Sequence, residues 1–253
     1  SLAAQAAVSI ENSKTFERIR ARDRLVALGE MAGGLAHEIR NPLATIRTAL
    51  ALLETPGDED PQELREMVVE EVHRLNRTVG LFLDYARPSP SHLAPWDVVK
   101  TLERAVEGAK PEGSGCARVD LQVEPELPRM PLDGEKLERV ISNLVRNALE
   151  ACGPAGSVRV LAETDRADDG TLRGLQVLVE DDGCGMDAET LERAFVPFFT
   201  TRERGVGLGL ALCERLVRAE GGQIDIRSEA GSGTRARVWL PLPESRVEET
   251  RDG

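Results

Sequence analysis

Aromatic side chains are scarce in this 253-residue sequence, with five Phe, two Trp and one Tyr making up 3% of the chain. Basic charge is also in deficit: 32 Lys and Arg face 44 Asp and Glu, for a formal charge of −12. Together these shortages argue against nucleic acid or an anionic membrane surface as the main partner. Any nucleotide bound here must meet local positive groups rather than a basic field. No apolar run approaches the roughly 20 residues that span a bilayer, and the first residues lack the basic-then-apolar order of a signal peptide. The four cysteines, Cys116, Cys152, Cys184 and Cys213, lie far apart with no C-x-x-C pair, so neither a zinc site nor a disulfide framework is indicated. They read as reduced thiols of a soluble, cytoplasmic protein. What remains is 41% hydrophobic and 30% charged residues, enough for one large or two small domains with a real core.

Along the chain the hydrophobic period changes once. Leu25, Leu28, Ala32, Leu35, Ile39, Pro42, Ile46, Ala49 and Leu53 alternate spacings of three and four, the seam of a long helix in a bundle. The turn-forming stretch from Thr55 to Pro61 ends it. A second helix is predicted with Val68, Val72, Leu75, Val79, Phe82 and Ala86 on one stripe. Two helices with one stripe each cannot enclose a core, so the hairpin implies a homodimer that pools four helices. The register extends upstream, more weakly, through Phe16 and Ile19, as either a helix severed from a preceding domain or a frayed terminal helix would. Arg87-Pro88-Ser89-Pro90-Ser91 then breaks the pattern and marks a hinge. Beyond it, strand-like runs (Val119 to Val123, Val158 to Ala162, Leu175 to Val179, Gln223 to Arg227, Arg235 to Leu240) mix with helical stretches (Asp97 to Ala109, Asp133 to Cys152, Leu208 to Ala219), which indicates an α/β sandwich. Thr164 to Thr171 reads as an exposed hairpin loop.

The candidate chemistry falls on few residues. His37 lies off the first helix's seam, beside Glu38 and five residues before Pro42. Proline cannot donate to the carbonyl of Glu38, so the helix is expected to bend there and offer the imidazole outward. Glu38 can hydrogen-bond one ring nitrogen or take its proton, leaving the other as a neutral nucleophile. His73 and His92 have no such surroundings. Asn143 and Asn147 sit four apart on one helix face, where neutral amides can ligate Mg²⁺ and contact phosphate without adding negative charge. Asp181, in the turn Asp181-Asp182-Gly183-Cys184-Gly185, can accept from an exocyclic amine, with Gly183 and Gly185 admitting a flat ring. Gly205-Val206-Gly207-Leu208-Gly209-Leu210 opens an apolar helix whose amides can face phosphate oxygens. Neither the dinucleotide fingerprint nor a P-loop motif occurs.

Taken in order, these strings resemble the sensor histidine kinases of bacterial two-component systems. His37 to Leu43 is similar to the family's H-box, Asn143 to Asn147 to its N-box and Asp181 to Gly185 to its first glycine box. Phe195 to Phe199 is similar to the F-box, Gly205 to Leu210 to the second glycine box, and Gly231 to Thr234 to a final glycine turn. The resemblance implies an α+β chain: a helical hairpin forming a dimeric four-helix bundle, then a Bergerat-type α/β sandwich that binds ATP. It implies 1–24 as a signalling helix from an absent sensor domain and 25–87 as the dimerisation and phosphotransfer hairpin. It further implies 88–95 as a hinge linker, 96–244 as the ATP-binding domain and 245–253 as a polar tail. His37 would accept the γ-phosphoryl group with Glu38 as acid/base partner. Asn41 would orient water for dephosphorylation of a response regulator's receiver domain. ATP and Mg²⁺ would be held by Asn143, Asn147 (the metal ligand), Asp181, Gly183, Gly185, Thr201, Gly205, Gly207, Leu208, Gly209 and Thr234. Arg202 and Arg204, in a short lid, are candidate phosphate contacts. Membrane contact would come only through segments upstream of this sequence. Glu150 and Ala151 stand where many relatives carry a basic and an aromatic residue. Two rival readings are an ATPase clamp of the same superfamily, which leaves His37 to Pro42 unexplained, and a non-catalytic dimeric scaffold, which needs a broken nucleotide site.

Overall fold

The computed structural model describes residues 33–54, 60–86, 91–110, 118–125, 127–153, 155–202 and 205–242. The upstream stretch with Phe16, Ile19, Leu25, Leu28 and Ala32, the turn 55–59, residues 87–90, Cys116, Arg204 and the tail 245–253 lie outside the described residues. The chain divides into two compact units, Ser1–Pro88 and Ser89–Gly253.

In the first unit, α1 is helical over 33–54 and α2 spans Pro61–Ala86. On α1 the seam read from the sequence is the inward face: Pro42 and Ala49 are buried, and Leu35, Ile39, Ile46 and Leu53 are half-buried. The inward row of α2 differs from the expected stripe. It runs through Leu64, Val68, Glu71, Leu75, Thr78, Phe82 and Tyr85, with Leu64, Glu71 and Thr78 buried. Val72 and Val79, expected on the seam, are 43% and 37% exposed, next to exposed Val69 and Leu83. Val68, Leu75 and Phe82 are common to both rows, so α2 carries two adjacent stripes. The packed stripe is the more polar one because the Thr78 hydroxyl donates to the Arg74 carbonyl (3.0 Å) and Glu71 pairs with Arg74.

The second unit is a two-layer sandwich. Its sheet has the order β2-β4-β5-β7-β6, formed by Arg118–Val123 (β2), Ser157–Arg166 (β4), Leu172–Asp181 (β5), Gln223–Ser228 (β6) and Thr234–Pro241 (β7). The β2–β4 pair is parallel and the other pairs are antiparallel. The helices α3 (Val98–Ala109), α4 (Gly134–Cys152) and α6 (Gly209–Ala219) pack on this sheet. Strand alternation follows: Val158, Val160, Ala162, Leu175, Val177, Val179, Ala236 and Val238 are buried under the helices. On the open face Glu180 pairs with Arg159 (3.3 Å) and Arg235 (2.8 Å) across three strands. The helix starts are fixed locally, since Asp97 and Asp133 accept from the Lys100 and Lys136 amides (3.2 Å each) as N-caps.

Three short elements escape the sequence reading. β1 (Ala94–Trp96) pairs antiparallel with β3 (Met130–Leu132), so Ala94 and Pro95, expected in the linker, belong to a strand. A further helix, α5 (Ala188–Arg193), is capped by Asp187, which accepts from the Thr190 amide at 2.8 Å. The expected loop from Thr164 is shorter, because β4 and β5 run on to Arg166 and from Leu172. Among the described residues no helix is long and apolar enough to cross a membrane.

Candidate functional site

In the hairpin, His37 and Asn41 are both exposed one helical turn apart, on a face away from the seam. Glu38 points elsewhere. Its side chain is 20% exposed, and its Oε2 lies 3.8 Å from Arg74 Nη2 on α2. The imidazole is thus open to an incoming group, while the neighbouring carboxylate is turned into the hairpin.

In the second unit the expected nucleotide residues converge from four elements. α4 brings Asn143 and Asn147 to the start of α6. A Cβ built on Gly209 would lie 3.7 Å from Asn143 Oδ1 and 3.9 Å from Asn147 Nδ2, so both amides face the glycine that opens the helix. Asn143 is buried and doubly held, donating to the Arg139 carbonyl (3.1 Å) and accepting from Arg146 Nη2 (2.7 Å). Gly207 has φ +69°, which a side chain rarely adopts, and its carbonyl accepts from the Phe198 amide (2.9 Å). Phe198 itself sits at φ 63°, a left-handed conformation costing about 1 kcal/mol or more that this bond helps to enforce. Arg193 lies 4.1 Å over the Phe199 ring, closing the same segment.

The sheet contributes Asp181 and Thr234, which are register partners at the end of β5 and the start of β7. Asp181 Oδ1 accepts from the Gly183 amide (3.0 Å), and burial pushes its carboxyl above the ordinary carboxylate range. A partly buried carboxylate that accepts from the Gly183 and Thr234 backbones still has acceptor capacity for an amine. Its neighbour Asp182 is exposed and accepts from the Ser157 amide and hydroxyl (2.7 Å each), bonds that hold its carboxyl below the usual range. Gly183 and Gly185 connect this corner to the end of α4, where the Cys184 amide donates to the Ala151 carbonyl (3.2 Å).

Thr201 is exposed near Arg202. Arg202 donates from Nη2 to the Asn147 carbonyl (2.8 Å), reaches Asn147 Oδ1 from Nη1 (3.4 Å) and ion-pairs with Glu150. The residue that departs from the family pattern, Glu150, is therefore the counter-ion of the candidate lid arginine. Sequence reasoning missed this pairing, as it missed Arg146 behind Asn143.

The comparisons agree with this geometry. Residues 27–90 match the His Kinase A (phospho-acceptor) domain, and 132–244 match the histidine kinase-, DNA gyrase B- and HSP90-like ATPase family. The chain belongs to the sensor histidine kinases and comprises their phosphoacceptor and ATPase regions. It is 33% identical over 230 residues to the sensor histidine kinase ZraS of Escherichia coli O157:H7, an alignment covering 89% of this chain and 49% of that protein. With the signal transduction histidine-protein kinase AtoS of Escherichia coli strain K12 it shares 33% over 232 residues, covering 90% and 37%. The chain thus spans about half the length, or less, of these curated relatives. Among solved structures it is similar to the histidine kinase ThkA in complex with the response regulator protein TrrA, with TM-score 0.71 and 26% identity over 91% of this chain and 66% of that one. It is also similar to full-length ShkA in complex with AMPPNP, with TM-score 0.58 and 26% identity over 84% and 46%.

Proposed function

We propose that this chain transfers the γ-phosphoryl group of ATP to His37 and passes it to an aspartate on a response regulator's receiver domain. The observation that carries this reading is the exposed imidazole of His37, set on α1 within its motif, in a chain whose other unit gathers two buried-side amides, a glycine-opened helix and a desolvated carboxylate. In the transfer, a lone pair on one ring nitrogen attacks the γ-phosphorus, and the bond to the β,γ-bridging oxygen breaks. ADP leaves with that electron pair, and the proton on the other ring nitrogen passes to Glu38. The resulting P–N bond is labile enough for onward transfer to a carboxylate.

Asp181 would accept from the adenine amine, with Gly183, Gly185 and Thr234 shaping that corner. Gly205, Gly207, Leu208 and Gly209 would present backbone amides and the start of α6 to the phosphates. Asn143 would stand beside the phosphates, and Asn147 would ligate Mg²⁺. The donor set fits that ion, since a neutral amide oxygen is a hard ligand and Mg²⁺ bound to a triphosphate takes few ligands from protein. When bound, the ion offsets phosphate charge. Thr201 and Arg204 would act in the lid. Arg202 would join them by exchanging Glu150 and Asn147 for phosphate oxygens.

The exposed apolar row of α2 supports a homodimer in which two hairpins form a four-helix bundle. Residues 1–24 would bring signal from an upstream sensor region, the linker from residue 88 to the start of β1 would let the ATP-holding unit reach His37, and the whole portion would work on the cytoplasmic side, where ATP is found. Asn41, one turn from His37, would orient water in the reverse, phosphatase activity. Incubation with γ-labelled ATP tests the reading. Acid-labile, base-stable label that vanishes in His37→Gln is expected; ATP turnover without protein label would instead favour the clamp reading.

A further inference from the structure

The hairpin buries charge that the transfer scheme has not used. Arg74 on α2, with a side chain 17% exposed, lies between two carboxylates. Its Nη2 is 3.8 Å from Glu38 Oε2 on α1, and its Nη1 is 3.7 Å from Glu71 Oε2 one turn earlier on α2. The Glu71 side chain is 11% exposed. Both of those Oε2 atoms are buried and accept no hydrogen bond among the described residues, so the guanidinium is the charge they face. We infer that Arg74 is a positioning residue for phosphorylation of His37: it holds the Glu38 carboxylate beside the acceptor until that group takes the imidazole proton, while Glu71 stays behind as the resident counter-ion. This rests on the reading of His37 as phosphoryl acceptor.

With only Glu38 and Glu71 in this half-buried space, two carboxylates would repel each other and push Glu38 out of place. The guanidinium between them offsets that repulsion. When Glu38 turns toward His37, Arg74 is left paired with Glu71 rather than as a lone buried cation, the state that makes breaking ordinary buried pairs expensive. The ion-pair distances, longer than hydrogen bonds, suit a carboxylate held in place yet able to leave. Arginine fits this role because one planar fork serves two partners at once.

The test compares the wild-type chain with Arg74→Gln, Arg74→Lys and the double variant Glu71→Gln/Arg74→Gln. The readouts are the rate of His37 labelling from γ-labelled ATP, the affinity for ATP, and the rate of His37 labelling by phosphoramidate, a small donor that bypasses the ATP-binding unit. Arg74→Gln is expected to slow labelling from both donors about tenfold with ATP affinity unchanged. Removing Glu71 as well should recover the rate to within about threefold of wild type, because the like-charge conflict is gone. Arg74→Lys should stay within about threefold. A double variant as slow as Arg74→Gln or slower, a folded Arg74→Lys at a tenth of the wild-type rate, or Arg74→Gln at wild-type rate each overturns the inference. A wild-type chain labelled by phosphoramidate but not by ATP would sink the kinase reading while leaving this one to be judged on phosphoramidate alone.

Discussion

The hairpin and the sandwich differ in where their aliphatic side chains lie. In the sandwich, Val158, Val160, Val177, Ile141 and Leu212 fill the layer under the helices, the ion pairs of Glu180 lie on the open face, and Lys136 is buried between Asp133 and Glu220. In the hairpin, Glu38, Glu71, Arg74 and Thr78 are turned inward, while Val69, Val72, Val79 and Leu83 look outward. Both units bury a few paired charges, but the row of exposed aliphatic side chains belongs to the hairpin. The hairpin is suited to changes of packing between helices, and the sandwich to holding a ligand in a fixed frame.

Substitutions that reverse each pattern sharpen the contrast. The largest effect is expected from Val72→Asp/Val79→Asp. If those side chains are covered by a second hairpin, four buried valines are lost per dimer, roughly 6 kcal/mol or more, and sedimentation should report half the wild-type mass. An unchanged mass would break the comparison. Next is Ile141→Ala, fully buried in α4, which should destabilise the sandwich by about 3–4 kcal/mol and leave a separate hairpin transition in calorimetry unmoved.

Asp181→Asn should weaken ATP binding by about 2 kcal/mol in titration calorimetry, the worth of a hydrogen bond to a charged group. The same change should raise the melting temperature at pH 7 by about 2 °C. The sign follows from burial: the Asp181 carboxyl is raised above its unfolded value, so its penalty is absent below the unfolded value and grows as pH rises through the folded one. Melting curves of wild type and variant should therefore converge toward pH 4. The smallest effect belongs to Asp182→Asn. Its carboxyl is lowered by Ser157, so its contribution is present above the unfolded value and fades as pH falls through the folded one. The variant should melt slightly lower at pH 7 and match wild type in acid.

Much of this arrangement was legible beforehand. The five long strands, α3, α4 and α6 fell where period and caps put them, because a buried face imposes a strict alternation that the residues cannot hide. β1, β3 and α5 were missed, being too short to show a period. Arg202's attachment to Glu150 and Asn147 was not legible either, since the partners are more than fifty residues apart in the chain. Two adjacent aspartates in one turn also look alike in sequence. Only their surroundings make Asp181 a desolvated acceptor and Asp182 a brace for β4.

The sequence by itself determined the order of elements, the family, and the presentation of His37 off the seam of α1, since each depends on local spacing that the chain carries wherever it folds. Tertiary structure alone decided which of two overlapping stripes on α2 turns inward. Val68, Leu75 and Phe82 serve both rows, so hydrophobicity is nearly silent between them. The choice of Glu71 and Thr78 over Val72 and Val79 rests on the partners that satisfy buried polar groups, and those partners exist only once α1 and α2 are side by side.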